Sequence, residues 1–299
     1  MATWQVLVGE ETFNLSDRAP FDVVSATGVG LSPVRLITQR GPLQHGETAL
    51  DFRLDARSVN LVMAFAASSL AAADEARDRL AYIFGPRRIG YPVRLQVTRD
   101  DGTVRRLDCR TSGIADFPIT ESDRFGRMQR CAIQLIAVEP NWYDPAHEQL
   151  ALSLASISAG MQVPVVMPLL FSSGSSGGDT VQIPYSGTFD EYPVITVTGP
   201  VADLLIENVT SGDELSFLGY TLPAGRTMTI DLRYGHKSII DSTDANRIGD
   251  LTEGSDLATW RLLSILETGD GYNNVRLSGA SLTAASAVSI QYYHRYLSL

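Results

Sequence analysis

The chain has 299 residues, with 24 Lys and Arg against 34 Asp and Glu, giving a formal net charge of −10 and a pI near 4.9. Surplus acid argues against a protein that holds nucleic acid by neutralising phosphates, two cysteines argue against a disulfide scaffold, and four histidines leave little for a His-rich metal site. The 44% hydrophobic and 19% charged shares point to a packed core, and the length fits one large domain or two ordinary ones.

The first residues, Met1 to Glu11, lack a basic n-region and meet two glutamates too early for a signal-peptide core. Val59 to Ala73 is the longest apolar stretch, but Asn60, Ser68 and Ser69 interrupt it and Asp74-Glu75 ends it, short of the roughly 20 residues of a membrane span. A soluble protein from a compartment that does not require disulfides is expected, with no membrane insertion. Pro33 to Thr38, Ala49 to Leu54 and Val59 to Phe65 read as short strands. From Leu70 to Phe84, Ala73, Ala76, Leu80, Ile83 and Phe84 recur at helical spacing, Glu75 and Arg79 stand as an i,i+4 pair, and Gly85-Pro86 stops the helix.

Tyr91 to Thr98 alternates Val93, Leu95 and Val97 with polar residues, so it predicts a strand with one buried face. The turn signal Asp100-Asp101-Gly102 leads into a returning arm, Thr103 to Cys109. Met128 to Val138 is a long β-prone run that ends at Glu139-Pro140-Asn141-Trp142-Tyr143-Asp144-Pro145, where two prolines block continuation. The second half offers no helix beyond short turns. Ser172 to Gly178 reads as a flexible loop, and Pro193–Thr198, Asp203–Asn208, Glu214–Phe217, Arg226–Leu232, Leu257–Ile265, Val275–Leu277 and Ala287–Tyr293 read as strands of a β-sandwich. The pattern predicts an α+β domain over 1–150, a β-sheet with one helix, followed by an all-β sandwich over 151–299.

No dinucleotide fingerprint, P-loop, nucleophile elbow or HExxH stands in the sequence. Nothing in it nominates a cofactor, a metal or a catalytic group. Cys109 and Cys131 fall on two strands of one domain, as buried free thiols or as a cross-strand pair. The acidic turns at Asp100, Asp241 and Asp270 have the composition of tight turns, and Asn208-Val209-Thr210 matches a glycosylation sequon. Arg87, Arg88, Arg105 and Arg106, with Arg94 and Arg99, make a basic cluster in an acidic chain, a candidate subunit interface. Trp260, Tyr272 and Tyr293, with Tyr292 and Tyr296, are candidate stacking surfaces for a glycan. A glycoside hydrolase would need two carboxylates at a defined separation, and the sequence singles out no pair.

The order of these parts resembles the distal tail protein family of siphophages. Leu54-Asp55-Ala56-Arg57-Ser58-Val59-Asn60-Leu61 is similar to the family's arginine followed by a strand into the belt. The helix, the Gly-Pro stop, the hairpin, the long strand and the exit Glu139 to Asp144 follow in the family's order. In the second half, Tyr192 to Pro200, Ile206 to Gly212, Leu215 to Phe217, Gly225 to Asp231, Leu262 to Leu266 and Gly269 to Val275 resemble a galectin-like domain. Glu267-Thr268-Gly269-Asp270 stands where the family has Pro-Gly before an Asn-containing turn.

The resemblance implies a ring-forming belt domain over 1–150 and a galectin-like sandwich over 151–299. It implies a non-enzymatic, homohexameric hub in the virion tail, assembled in the host cytoplasm. Its partners would be the tail tube protein, the tail-tip or baseplate hub protein and receptor-binding proteins, with DNA only in transit through the lumen. A carbohydrate-binding tail module acting in host adsorption is the alternative.

Overall fold

The computed structural model describes residues 2–16, 21–88, 91–118, 124–125, 127–154 and 180–299. The expected loop Ser172 to Gly178 lies outside them. The chain is mostly β, with 52% in strands and 9% helical, and the expected helix of the first half is present from Leu70 to Phe84. It divides into two compact units, one formed by residues 1–145 with 296–299 and the other by 146–295. The last four residues, placed with the second half by the sequence reading, pack with the first unit.

The strands of the first unit are β1 (Thr3–Val8), β2 (Glu11–Asn14), β3 (Phe21–Thr27), β4 (Val34–Gln39), β5 (Thr48–Leu54), β6 (Arg57–Ala66), β7 (Val93–Thr98), β8 (Val104–Asp116), β9 (Arg124–Phe125), β10 (Met128–Ala137) and β11 (Trp142–Tyr143); helix α1 is Leu70–Phe84. One sheet runs β2-β1-β7-β8-β10-β6-β3. The long β8 joins its two halves: Val104 to Cys109 pairs with β7, and the stretch from Arg110 to Asp116 pairs with β10. Period-2 alternation supplies the core. Val6, Leu95, Val97, Leu107 and Cys109 of one half share a single buried cluster with Leu61, Met63, Cys131, Ile133 and Leu135 of the other.

Helix α1 has the bounds its periodicity predicts. Ser69 caps it by accepting the Ala72 N–H at 3.1 Å, and Ala73, Leu80, Ile83 and Phe84 are buried. Arg79 lies over the Phe13 ring at 5.4 Å, a destination that the i,i+4 spacing to Glu75 does not reveal. β4 and β5 form a separate two-stranded ribbon.

The second unit contains β12 (Glu148–Ser153), β13 (Thr180–Pro184), β14 (Val194–Thr198), β15 (Val201–Asn208), β16 (Asp213–Leu222), β17 (Thr227–Asp231), β18 (Ser238–Asp241), β19 (Tyr272–Ala280), β20 (Ala287–Tyr292) and the single-turn helix α2 (Ile265–Thr268). Its two sheets, β12-β20-β14-β17-β18 and β13-β19-β15-β16, enclose one core cluster that includes Ile195, Val197, Ile206, Phe217, Ile230, Val275 and Ile290.

The expected strand from Leu257 to Ile265 does not form. Only Leu262 bridges to Glu191, while the Trp260 N–H donates to the Asp256 carbonyl at 2.8 Å. The segment instead drives Trp260 and Leu262 into the core as a plug, each with no exposure. Asn273, itself fully buried, holds that plug by donating to the Leu263 carbonyl and accepting its N–H.

Cys109 and Cys131 are free and buried. Burial pushes both thiols up, Cys131 to about 12. An aromatic disulfide reagent at neutral pH is expected to titrate neither thiol in the native protein and both in denaturant; stoichiometric native labelling would contradict this burial.

Candidate functional site

The polar framework of each unit shows which side chains are held inside and which are left at the surface. In the first unit that framework converges on Arg57, the first residue of β6, which is 1% exposed. Among the described residues its partners are all main-chain carbonyls. Nε donates to Pro140 O at 2.6 Å, NH1 to Gly28 O at 2.9 Å and to Gly30 O, and NH2 to Leu297 O at 2.7 Å. Burial pulls the guanidinium below its ordinary pKa, yet it stays charged at any pH where the protein folds. The fork therefore gathers three distant segments: the root of the β4–β5 ribbon, the exit from β10 and the C-terminal tail.

Neighbouring contacts tighten this junction. Ser32 Oγ donates to the same Pro140 carbonyl at 3.2 Å, and the Leu299 N–H donates to Val29 O at 3.0 Å. Gly28 has φ +82°, and a Cβ there would lie 1.8 Å from the Ser58 carbonyl oxygen, so no side chain fits.

Of the expected basic interface, Arg88 is exposed while Arg87, Arg105 and Arg106 are half-buried and bonded within the first unit. Arg105 stacks 3.8 Å over the Tyr296 ring and donates to Ser298 O, so it holds the C-terminal tail. Arg106 donates from Nε to Gln96 at 2.8 Å and from NH1 to Pro145 O at 3.2 Å, while Gln96 donates to Gln5 at 2.7 Å. Beside that ladder Arg94 makes a two-pronged ion pair with Asp108 at 2.7 and 3.2 Å, and the Tyr143 hydroxyl donates to Asp108 at 2.6 Å. The hydrogen bond to Asp108 raises the Arg94 pKa, and burial raises that of Tyr143. The outer face of the β1-β7-β8 half-sheet is thus closed by its own side chains. Arg87 and Arg88 remain together, bordering a cleft of about 590 Å³ with Glu10, Glu11 and Tyr91. Arg87 donates to Tyr82 O at 2.6 Å and lies 5.2 Å over its ring.

The candidate glycan contacts are not joined into one exposed platform. Trp260 has no exposure and belongs to the core, because the 257–265 segment runs inward instead of along a sheet surface. Tyr272 is 43% exposed, with its N–H on Asp270 at 3.0 Å. Tyr293 is half-buried, edge-on to His147 at 5.9 Å. A second aromatic pair lies elsewhere, with Tyr234 62% exposed and Tyr192 half-buried against the core. Tyr192 and Tyr234 pack at 4.4 Å with Lys237 Nζ 4.7 Å over the former, and Lys237 is anchored on the Leu257 and Ala258 carbonyls. Nothing in their sequence spacing brings these three together. Asn208 of the sequon is fully buried and donates to Arg261 O at 2.6 Å, so the folded chain does not present it as a glycan acceptor.

Two losses follow from these placements. Arg57→Met leaves four carbonyls without their charged donor and is expected to cost about 3 kcal/mol or more, read as a lower denaturation midpoint; an unchanged midpoint would show that water replaces the fork. Trp260→Ala is expected to cost about 3–5 kcal/mol by cavity formation, measured by chemical denaturation, and full stability would refute its core role.

No protein-family model matches the chain, and no curated protein sequence does. Among solved structures, the SPP1 Dit protein, a hub of the adsorption apparatus in phages infecting Gram-positive hosts, superimposes with a TM-score of 0.64 at 12% identity over 98% of each chain. A protein of the phage P2 baseplate, in its activated conformation with Ca, gives a TM-score of 0.47 at 8% identity over 98% of each chain. Over nearly its whole length, the chain carries the fold of a phage Dit hub protein.

Proposed function

We propose that the chain is the distal tail hub of a long-tailed phage. In this reading the first unit is the ring-forming belt, the second a galectin-like domain, and six copies close into a ring. The ring joins the tail tube to the tail tip or baseplate and anchors receptor-binding proteins. The observation that carries the reading is a likeness to the Dit fold spanning 98% of both chains, which leaves neither unit without a counterpart. The internal use of polar groups agrees with it. Arg94, Arg105 and Arg106 stabilise the protein's own framework, as a scaffold requires, and Cys109 and Cys131 are buried with raised pKa values, unlike reactive thiols.

The role is structural, with the virion tail as its location, assembly in the host cytoplasm, and DNA as a passenger through the lumen. A net charge of −10 favours passage over retention, provided the surplus acid lines the channel. The carbohydrate-binding alternative loses Trp260 to the core and would have to rest on the Tyr192 and Tyr234 pair.

Purified protein is expected to run in light scattering as a closed oligomer and to appear in negative stain as rings with an open centre, six-fold on averaging. It is also expected to bind its tail tube protein. A monomer that also fails to bind the tube would refute the hub reading.

A further inference from the structure

The turn between β17 and β18 presents one aromatic ring to solvent on a fixed mount. Gly235 at φ +75° and the His236 N–H on the Arg233 carbonyl at 3.1 Å close the turn, and Arg233 is held on Asp231 by two bonds of 3.0 and 2.6 Å. Tyr234, between Arg233 and Gly235, is left 62% exposed. Behind it stands Tyr192, half-buried against the core, whose hydroxyl accepts that of Tyr234 at 2.7 Å. Lys237 Nζ lies 4.7 Å over the Tyr192 ring and 5.5 Å over the Tyr234 ring. One side of Tyr234 is thus backed by a second ring and a cation, and the other is open.

Polar groups of fixed direction stand beside this mount. Arg261, from the 257–265 plug, donates from Nε to Asp190 at 2.8 Å and from NH1 to the Thr259 carbonyl at 3.2 Å, and Asp190 also accepts the Ser264 N–H at 2.9 Å. Burial raises the pKa of the Tyr192 phenol, and the Arg261 charge opposes that rise. Burial and then the Asp190 charge raise the pKa of Glu267, an exposed residue of α2, and Arg261 opposes this too. Arg261 is therefore near enough to Tyr192 and to Glu267 to act on both. The aromatic mount and the two carboxylates belong to one surface of the second unit.

We infer that this surface binds a neutral oligosaccharide, with one pyranose ring lying on Tyr234 and neighbouring hydroxyls bonding to Glu267 and to the Arg261 and Asp190 pair. The inference goes beyond the hub reading and does not depend on it. Three features select a neutral sugar. A braced tyrosine offers flat area to the C–H face of a pyranose with little loss of conformational freedom. The nearby cations are already committed, Lys237 to the Leu257 and Ala258 carbonyls at 3.0 and 2.8 Å and Arg261 to Asp190 and Thr259, so the surface is not built to hold an anion. Asp231, Arg233 and Lys237 surround Tyr234 in the turn, whereas the core of a protein interface is depleted of charge.

The test is saturation-transfer NMR on the wild-type chain and on Y234A, Y234F and E267Q. The probes are neutral hexose, N-acetylhexosamine and deoxyhexose oligosaccharides, with an oligogalacturonate as the acidic control. Tyr234 and Glu267 are exposed, so denaturation midpoints are expected to match the wild type. At least one neutral oligosaccharide is expected to bind, about ten-fold more weakly in Y234A and about three-fold more weakly in E267Q. Y234F keeps the ring and is expected to bind nearly as the wild type does.

Transfer to none of the neutral oligosaccharides overturns the inference, and so does binding that Y234A leaves intact, since the sugar would then lie elsewhere. Binding as weak in Y234F as in Y234A overturns the stacking contact. Binding that E267Q leaves unchanged removes the polar half of the site and overturns its assignment. Preference for the oligogalacturonate overturns the choice of a neutral ligand. None of these outcomes touches ring formation or tube binding, on which the hub reading stands or falls.

Discussion

A guanidinium buried to 1% exposure and held by main-chain carbonyls is the constraint on which the first unit is built. Arginine does not escape burial by losing its proton, so its donors must be matched inside the fold. Carbonyls suit this task because each brings its own stretch of backbone. Gly28 and Gly30, Pro140 and Leu297 are far apart in sequence and meet at Arg57. The C-terminal tail is thereby tied to the first unit, a tie strengthened by Arg105 over Tyr296 and by Leu299 on Val29. The second unit, 146–295, is thus an excursion between two segments that both belong to the first.

Much of the fold is legible because period and punctuation are local. Helix α1 has its predicted bounds because one face recurs at helical spacing between a serine cap and Gly85-Pro86. β7, β10, β14 and β20 alternate cleanly and appear within a residue or two of their expected ends. Other strands carry the same signal in weaker form. Trp4, Val6 and Val8 alternate in β1, but six residues are too few to set a period of two apart from chance. The 257–265 segment shows the opposite failure: its apolar run satisfies a strand template, while the burial of Trp260 and Leu262 needs only a plug whose backbone bonds go to Asp256, Glu191 and Asn273. A short apolar run does not say which of the two it is.

Side-chain destinations were less legible than elements. The arginine cluster was visible as charge, but charge does not name a partner. Arg106 finds Gln96 across the hairpin, and Arg105 finds Tyr296 from the far end of the chain. Aromatic content likewise does not separate Trp260 in the core from Tyr234 at 62% exposure. Nothing local to residues 54–61 announces that the Arg57 guanidinium lies inside. The two strands of the ribbon are legible in the sequence, but the pattern of Val34, Leu36, Phe52 and Leu54 looks the same whether the apolar face is covered or open.

These observations connect. Gly28, with no room for a Cβ against the Ser58 carbonyl, brings the segment that leads into the β4–β5 ribbon directly onto β6. Arg57 then holds that segment, the exit from β10 and the C-terminal tail by their carbonyls, and Ser32 and Leu299 add direct bonds between them. Three stretches far apart in the chain are thus held as one piece around a single charge, so loss of the guanidinium loosens all three together rather than any one of them.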